Sequence, residues 1–384
     1  MLASKRKHIL MLLSNPATND PRPIAEAKAL VNSGFAVTIF AWDRNGKTSK
    51  QTSQSPNLLI RRFKLKTPYG QSLRTILGFA LFYFWCFVYS ISMNIQVVHC
   101  HDIDTLPCGI LLKTLRNRKL RLIFDMHDHP SVFLEKFPKS SFLIDLSFVF
   151  IRRWVNRLIV VNEGFVNYLA KSGFKGKMIT VIMNAFSVNV DRHRTKEGDS
   201  FNVVYYGPLT KLRGVNILVR AVEQLPHISL ILAGKGDLVP WISEVQKTYS
   251  NIRYVGWISM SEISELVKKT DVIPCLSSAN LKHKANHVLA APGKFFTSIA
   301  NGIPVIVPTG TFIAEITKKY NCGLVVDMAE LQSISNGLRT LKENKPLYDL
   351  MAKNGLSISK SQFSWQVMEK RLLSCYSAEF DLLV

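Results

Sequence analysis

Short apolar runs alternate with helical patterns along the first half of the chain. Residues 8–13 and 35–42 have the continuous apolar character of buried strands, and residues 22–32 between them show helical spacing that ends at Gly34. Further strands are predicted at 95–100, 120–125 and 157–161. Strands that alternate with helices build a parallel sheet covered on both faces. This part of the chain is therefore predicted to be a doubly wound α/β domain.

The same alternation starts afresh after a polar, charged stretch at 187–200, which has the composition of a linker. Strands are predicted at 201–206, 228–233, 252–255, 272–276 and 304–307. We therefore expect an α/β chain with domains at 1–187 and 201–363. Residues 364–384 form a closing helical segment that is expected to cross back to the first domain.

Residues 75–93 do not match an ordinary soluble helix, because they are apolar, rich in aromatic residues and free of formal charge. Their length approaches the roughly 20 residues that span a bilayer, but basic residues precede them and the segment separates two strands of one predicted sheet. A helix that lies in the membrane interface is the favoured interpretation. A buried core helix and a spanning helix remain as alternatives.

Composition narrows the possible partners and compartments. The chain has 49 Lys and Arg against 27 Asp and Glu, a formal charge of +22, which indicates an anionic partner. The excess is spread along the chain without a nucleic-acid recognition motif, so an anionic membrane surface is favoured over nucleic acid. Six cysteines without a CxxC pair indicate a reducing compartment, and we expect a cytoplasmic protein peripheral to the membrane.

Two glycine-containing turns follow predicted strands of the second domain. Gly234 and Gly236 stand where backbone N–H groups and a helix N-terminus could approach a phosphate, although a simple tight turn has the same pattern. The other turn begins at Gly207 and carries Lys211 and Arg213, which could neutralise a diphosphate or merely face solvent. Asn286, Lys294 and Thr297 follow near a later strand and are candidate pocket residues.

Histidines and carboxylates close two strands of the first domain. His99 and His101 share one face of a strand, and Asp102 follows them. A metal-dependent hydrolase would use such residues, but the second half supplies no ligand-spaced pair. We therefore predict no metal, and we favour a core or capping role for His99 and His129.

In order along the chain, these segments resemble the retaining glycosyltransferases of the GT-B fold, family 4 (group 1). The matching segments are Asn19-Asp20-Pro21-Arg22 with Glu26; His99-Cys100-His101-Asp102; Asp125-Met126-His127-Asp128; Tyr206-Gly207 with Arg213-Gly214; Gly234-Lys235-Gly236; Tyr254-Val255-Gly256; Asp271-Val272; Pro292-Gly293-Lys294; Ala300-Asn301-Gly302; and Cys322-Gly323-Leu324. No single segment is specific, but the ordered series is.

The resemblance implies two Rossmann-like domains that face a cleft, with a nucleoside-diphosphate sugar held mainly by the second and no cofactor beyond this donor substrate. It assigns catalytic roles to His101 near the donor sugar and Arg213 on the diphosphate. Donor contacts would come from Gly207, Lys211, Gly234, Gly236, Asn286, Lys294 and Thr297. The acceptor, a lipid-linked or cell-envelope glycan, would meet Asn19, Arg22 and Asp102 of the first domain.

The chain departs from the family pattern at the donor site. Pro208 stands where the family usually has a basic residue, while Thr297 and Leu289 replace two acidic positions. A neutral hydroxyl binds ribose without charge assistance, at a cost of roughly 1–2 kcal/mol of donor affinity. A GT-B protein that binds a nucleotide or partner without transferring sugar is therefore the alternative function.

Overall fold

The computed structural model describes residues 6–18, 20–68, 73–127, 141–171, 173–185, 201–278 and 288–380. The chain folds into two compact units. Unit 1 contains residues 1–183 and 368–384, and unit 2 contains residues 184–367. The chain therefore leaves unit 1 once and returns to it near its end.

Unit 1 is built on an eight-stranded sheet of order β3-β4-β2-β1-β5-β6-β7-β8. Its strands are β1 His8–Leu13, β2 Ala36–Trp42, β3 Gln51–Ser55, β4 Leu58–Phe63, β5 Ile95–His101, β6 Arg121–Met126, β7 Arg157–Val160 and β8 Ile179–Val181. All neighbours are parallel except β3, which runs antiparallel to β4. The pattern predicted β1, β2, β5, β6 and β7, but it missed β3, β4 and β8. Strand β3 is polar and largely exposed, so it lacks the apolar signal of a buried strand.

Six helices pack in unit 1 within the described part of the chain. They are α1 Pro21–Asn32, α2 Leu73–Ser90, α3 Leu106–Leu111, α4 Ser141–Ile151, α5 Glu163–Lys171 and the last helix of the chain, α13 Trp365–Phe380. The last helix is held by buried contacts to unit 1: the Met183 amide donates to the Met368 sulfur at 3.1 Å, and Tyr376 is 1% exposed.

Helix α2 buries only one of its faces. Gly78, Phe82 and Cys86 face the sheet, where Phe82 stacks on Trp42 at 5.7 Å between ring centroids. A Cβ on Gly78 would lie 2.6 Å from Trp42, so the close approach of helix and sheet requires glycine here. Among the described residues α2 is long and apolar enough to cross a membrane, with 28% of it buried. Helix α2 is therefore not a fully buried core helix, since one face packs on the sheet and much of the rest is exposed.

Unit 2 contains two three-stranded parallel sheets, β11-β10-β9 and β12-β13-β14. The strands are β9 Phe201–Tyr206, β10 Ile228–Ala233, β11 Ile252–Tyr254, β12 Ile273–Pro274, β13 Val305–Pro308 and β14 Gly323–Val326. A parallel bridge between Val203 and Val272 joins the two sheets. The chain direction across the sheet reverses between β9 and β12, and such a switch point is where open α/β sheets bind ligands.

The helices of unit 2 cover both faces of this sheet. They are α6 Val215–Glu223, α7 Val239–Thr248, α8 Met260–Lys268, α9 Gly293–Ala300, α10 Phe312–Tyr320, α11 Leu331–Glu343 and α12 Lys345–Ser361. The strand predicted at 272–276 is shorter than expected, at Ile273–Pro274.

Candidate functional site

The charged residues of unit 1 gather where β5 and β6 end. His101 is the last residue of β5 and lies beside Asp125 in the register of the sheet. The carboxyl ends of parallel strands meet at one edge, so side chains from successive strands converge there. We call His99, His101 and His127, with Arg22, Glu26 and Asp125, the histidine cluster.

Arg22 is the cation at the base of this cluster. It is 2% exposed, and its guanidinium donates to Glu26 at 2.9 Å and to Asp125 at 2.6 Å. A buried charge requires such compensation. Arg22 therefore ties α1 to β6, and its assignment to the acceptor stays a prediction.

The environment separates the protonation states of the cluster. Burial alone would raise the pKa of Asp125, but Arg22 and His127 hold that pKa well below its usual range. Burial opposes protonation of His127, yet Asp125 and Asp102 raise its pKa to about 9. Burial and His101 lower the pKa of His99 well below its usual value. At neutral pH the cluster therefore contains an imidazolium at His127 and a neutral imidazole at His99.

The two ring nitrogens of His101 have different surroundings. Its Nδ1 lies 3.2 Å from His127 Nε2 and 3.4 Å from Asp125 Oδ2. Its Nε2 is buried and has no hydrogen-bond partner among the described residues. A buried polar atom without a partner is costly, and in a site it marks a position for a ligand.

Asp102 has a strained backbone, with φ of 65°. Its amide donates to the Asp125 carbonyl at 2.8 Å, and its carboxylate accepts from the His127 amide at 3.2 Å. Asp102 is therefore fixed against the end of β6.

The metal-ligating side chains that lie together in unit 1 differ from the set that the sequence suggested. Glu26, His99, His101 and Asp125 offer donor atoms within 4.8 Å of one another, and Asp102 is not among them. The hydrolase set of His99, His101 and Asp102 is thus not assembled in this group. Arg22 and protonated His127 already balance the carboxylates, so the charge of the cluster favours an ion-pair network over a divalent cation.

The two glycine turns of unit 2 touch through their backbones. A Cβ on Gly234 would lie 1.9 Å from the Gly207 carbonyl oxygen, and one on Gly236 would lie 2.1 Å from the Leu209 oxygen. The Gly207 amide donates to Ala233 and the Leu209 amide to Lys235, both at 2.9 Å. We call this contact between the turns the glycine corner.

Lys294 brings a positive charge to the glycine corner from α9. Its ammonium lies 3.7 Å from the ring centroid of Tyr205 and would be 3.6 Å from a Cβ on Gly207. Burial, reinforced by the nearby charge of Arg213, lowers the pKa of Lys294 to about 8. Lys294 therefore lies at the glycine corner, and Arg213 is near enough for its charge to act on this lysine. Their assignment to a phosphate pocket stays a prediction.

The other predicted donor residues differ in position. Lys211 is exposed at the start of the turn that ends at Arg213. Thr297 is 3% exposed and lies beside the phenol of Tyr206. Asn286, like Asn19 and His129 of unit 1, lies outside the described residues.

Sequence reasoning missed two further residues at these edges. Trp257 is 65% exposed beside the glycine corner, where Lys235 lies 5.6 Å from its ring centroid, and an exposed indole there could stack on a flat ring. Asp104 follows β5, and burial raises its pKa to about 6 while its Oδ1 has no partner among the described residues. A carboxylate two residues beyond Asp102 was the available signal for the second.

Comparison with protein families gives two adjacent matches. Residues 24–190 match the family described as Glycosyltransferase Family 4, and residues 189–357 match the family described as Glycosyl transferases group 1. Comparison with curated protein sequences gives no match.

Solved structures share the fold over nearly the whole chain. Sucrose-phosphate synthase from Thermosynechococcus elongatus is 17% identical with a TM-score of 0.77, covering 98% of this chain and 100% of the other. The Anabaena protein HepE in complex with UDP and glucose is 15% identical with a TM-score of 0.70, covering 97% and 100%. The lipopolysaccharide outer core galactosyltransferase WaaB is 10% identical with a TM-score of 0.68, covering 97% and 100%.

Proposed function

Because the chain belongs to the group 1, family 4 glycosyltransferases and has the GT-B fold, we propose that it transfers a hexosyl unit from a nucleoside-diphosphate sugar to a lipid-linked or cell-envelope glycan, with retention of configuration. The observation that carries the proposal is the glycine corner, with Lys294 and Arg213 beside it at the switch point of unit 2. Two cations beside a glycine turn at one sheet edge are suited to a diphosphate.

The proposed catalytic contribution of unit 2 is electrostatic. When the bond to the anomeric carbon breaks, negative charge develops on the departing diphosphate. Arg213 and Lys294 would stabilise that charge, and fixed cations do so without reorganisation during the reaction. The proposal needs no cofactor and no metal.

The proposed contribution of unit 1 is to hold His101 next to the donor sugar. Its Nδ1 is engaged by His127 and Asp125, so its Nε2 remains for a sugar hydroxyl. The buried partners fix the orientation of the ring before substrate arrives.

The exposed apolar face of helix α2 supports the proposal that the acceptor resides at a membrane. Its outward face exposes Leu73, Ile76, Leu77, Leu81, Phe84, Val88 and Tyr89. Lys64 lines a shallow recess beside this face, and Arg61 lies 5.7 Å from the Tyr89 ring. Apolar side chains bordered by cations suit an anionic bilayer surface. We therefore propose that the protein is peripheral to the cytoplasmic face of a membrane, and the fold shared with WaaB, described as acting in the lipopolysaccharide outer core, is consistent with an envelope acceptor.

Incubation with a panel of UDP-, GDP- and ADP-sugars and an extract of membrane glycolipids tests the proposal. We expect one donor to be consumed, and proton NMR of the product to show the anomeric configuration of that donor. An inverted product would contradict retention, and hydrolysis or no consumption with every donor would contradict transfer.

One observation favours a second candidate, a GT-B protein that binds a nucleotide without transferring sugar. Thr297 is 3% exposed and its hydroxyl is neutral, so it offers ribose no charged acceptor. Thr297→Glu separates the two functions, because a carboxylate there would tighten donor binding by roughly tenfold. Nucleotide binding without transfer in both proteins would favour the second candidate.

A further inference from the structure

The hydroxyl of Tyr376 reaches the histidine cluster from the end of the chain. It lies 2.8 Å from His99 Nδ1, and the two side chains are 1% and 0% exposed. Tyr376 belongs to α13 and is 277 residues from His99 in sequence, but both residues lie in the same unit. A phenol buried this completely needs a hydrogen-bond partner, and the His99 ring nitrogen lies within hydrogen-bond distance of it.

The surroundings of His99 decide which atom donates this hydrogen bond. His99 Nε2 faces two carboxylates, Glu26 Oε2 at 4.0 Å and Asp125 Oδ2 at 3.8 Å. A lone pair on Nε2 would be repelled by these oxygens, whereas an N–H there is attracted to them. The proton of neutral His99 therefore belongs on Nε2, so Nδ1 accepts and the Tyr376 hydroxyl donates.

The ring of His99 in turn packs against the ring of His101. The two rings stack with centroids 4.3 Å apart and an angle of 20° between their planes. His127 lies edge-on to His101, with ring centroids 5.3 Å apart. The plane of His99 therefore limits where His101 can point its Nε2.

We propose that Tyr376 is a positioning residue for His101: its hydroxyl fixes the tautomer and ring plane of His99, and the His99 ring holds His101 by stacking. This inference rests on the proposed function, in which His101 touches the donor sugar. It gives the returning helix α13 a role in catalysis in addition to its packing in unit 1. The charged and titratable groups that face His99 are Glu26, Asp125, Arg22, His101 and His127.

Tyr376→Phe tests the inference, because it removes one hydroxyl and keeps the ring. Nδ1 of His99 then has no donor, so the ring and its stack on His101 lose their fixed plane. We expect kcat to fall about tenfold with the donor KM unchanged, since a small misplacement of a reacting group acts on rate. Tyr348→Phe is the matched control: it removes another buried hydroxyl, bonded to the Asp271 carbonyl at 3.0 Å in unit 2, and should leave kcat unchanged.

A double-mutant cycle separates positioning from a structural effect. If Tyr376 acts through His101, then Tyr376→Phe has no further effect on kcat in a His101→Ala background. A full additional tenfold loss in that background would overturn the inference, and so would an unchanged kcat in the single variant.

Nitrogen NMR of the histidine side chains gives a readout that does not need transfer activity. We expect His99 to carry its proton on Nε2 in the wild type, and Tyr376→Phe to shift the His101 ring resonances. A proton on Nδ1 of His99, or unchanged His101 resonances in the variant, would overturn the inference. Absence of transfer in the wild type with the expected NMR result would contradict the proposed function and leave the coupling of the two histidines established.

Discussion

At the residue scale, the pKa values of single side chains at the two sheet edges are determined by their surroundings. Lys294 would be a fully charged surface lysine elsewhere, but burial brings its pKa to about 8. The pKa of His127 is shifted in the opposite direction, to about 9, because the attraction of Asp125 and Asp102 outweighs the effect of burial. Both shifts lead to measurable pH dependence.

Nucleotide affinity should depend on pH through Lys294. Below pH 8 the free protein already has this ammonium charged, so affinity is constant. Above pH 8 binding of a diphosphate requires uptake of a proton, and the affinity should fall up to tenfold per pH unit. Isothermal titration of UDP, GDP and ADP from pH 6.5 to 9.5 measures this, with Lys294→Arg expected to remove the decline. A flat wild-type profile would mean that Lys294 does not contact the phosphates.

Gly234→Ala should disrupt the glycine corner. The new Cβ would lie 1.9 Å from the Gly207 carbonyl, and the φ of 144° is one that alanine rarely adopts. We expect a loss of roughly 1–3 kcal/mol in the free energy of unfolding and a loss of nucleotide binding. Gly293→Ala, which has open space at the same edge, is the matched control for denaturant unfolding. Equal behaviour of the two variants would contradict the observed contact.

His127 should stabilise the fold at neutral but not at alkaline pH. Its pKa is raised from 6.5 unfolded to about 9 folded, so its contribution is complete below pH 6.5 and is lost as pH rises through 9. The difference in free energy of unfolding between wild type and His127→Gln should shrink by roughly 2 kcal/mol between pH 6 and 9.5. Urea titrations at several pH values measure it, and a constant difference would argue against an ion pair with Asp125.

The histidine cluster was only partly predictable from the sequence. The strand-end rule indicated that His101 and Asp102 lie at a sheet edge. It gave no sign that Asp102 would turn away towards His127, because that depends on a backbone φ of 65°. The contact of Tyr376 with His99 spans 277 residues, and no local pattern reports a contact of that range.

At the element scale, α2 is the helix whose sequence and packing differ most from the rest of unit 1. The pattern predicted a helix over 75–93, and the structure has one at Leu73–Ser90. The pattern did not reveal that Gly78, Phe82 and Cys86 face the sheet while the leucines, Ile76 and Phe84 are exposed. That distinction depends on Trp42 of a neighbouring strand.

Leu81→Glu should weaken binding to anionic vesicles. Leu81 is 52% exposed on the outward face of α2, so the substitution changes no core packing. Loss of one leucine from the bilayer, about 1.5–3 kcal/mol, corresponds to tenfold or more in affinity. Leu350→Glu, at a site 48% exposed in unit 2, is the matched control in vesicle co-sedimentation. Equal sedimentation of both variants and the wild type would contradict a membrane role for α2.

At the scale of the whole molecule, two α/β units each bring their chemistry to the carboxyl edge of a parallel sheet. This organisation was predictable, because alternating strands and helices and the polar stretch at 187–200 are visible in the sequence. The sequence predicted that the Gly207 and Gly234 turns lie at the same edge of the sheet, but not that they touch. Their closeness depends on backbone geometry that two glycines permit and no periodicity encodes.

In the proposed function, Arg213 and the glycine corner hold one diphosphate. The most direct measurement is isothermal titration of a UDP-, GDP- and ADP-sugar panel against wild type, Arg213→Ala and the surface control Arg220→Ala. We predict saturable binding of one donor at a single site, weakened tenfold or more by Arg213→Ala and unchanged by Arg220→Ala. Failure of every donor to bind, or equal affinity in all three proteins, would show that Arg213 and the glycine corner do not hold a diphosphate.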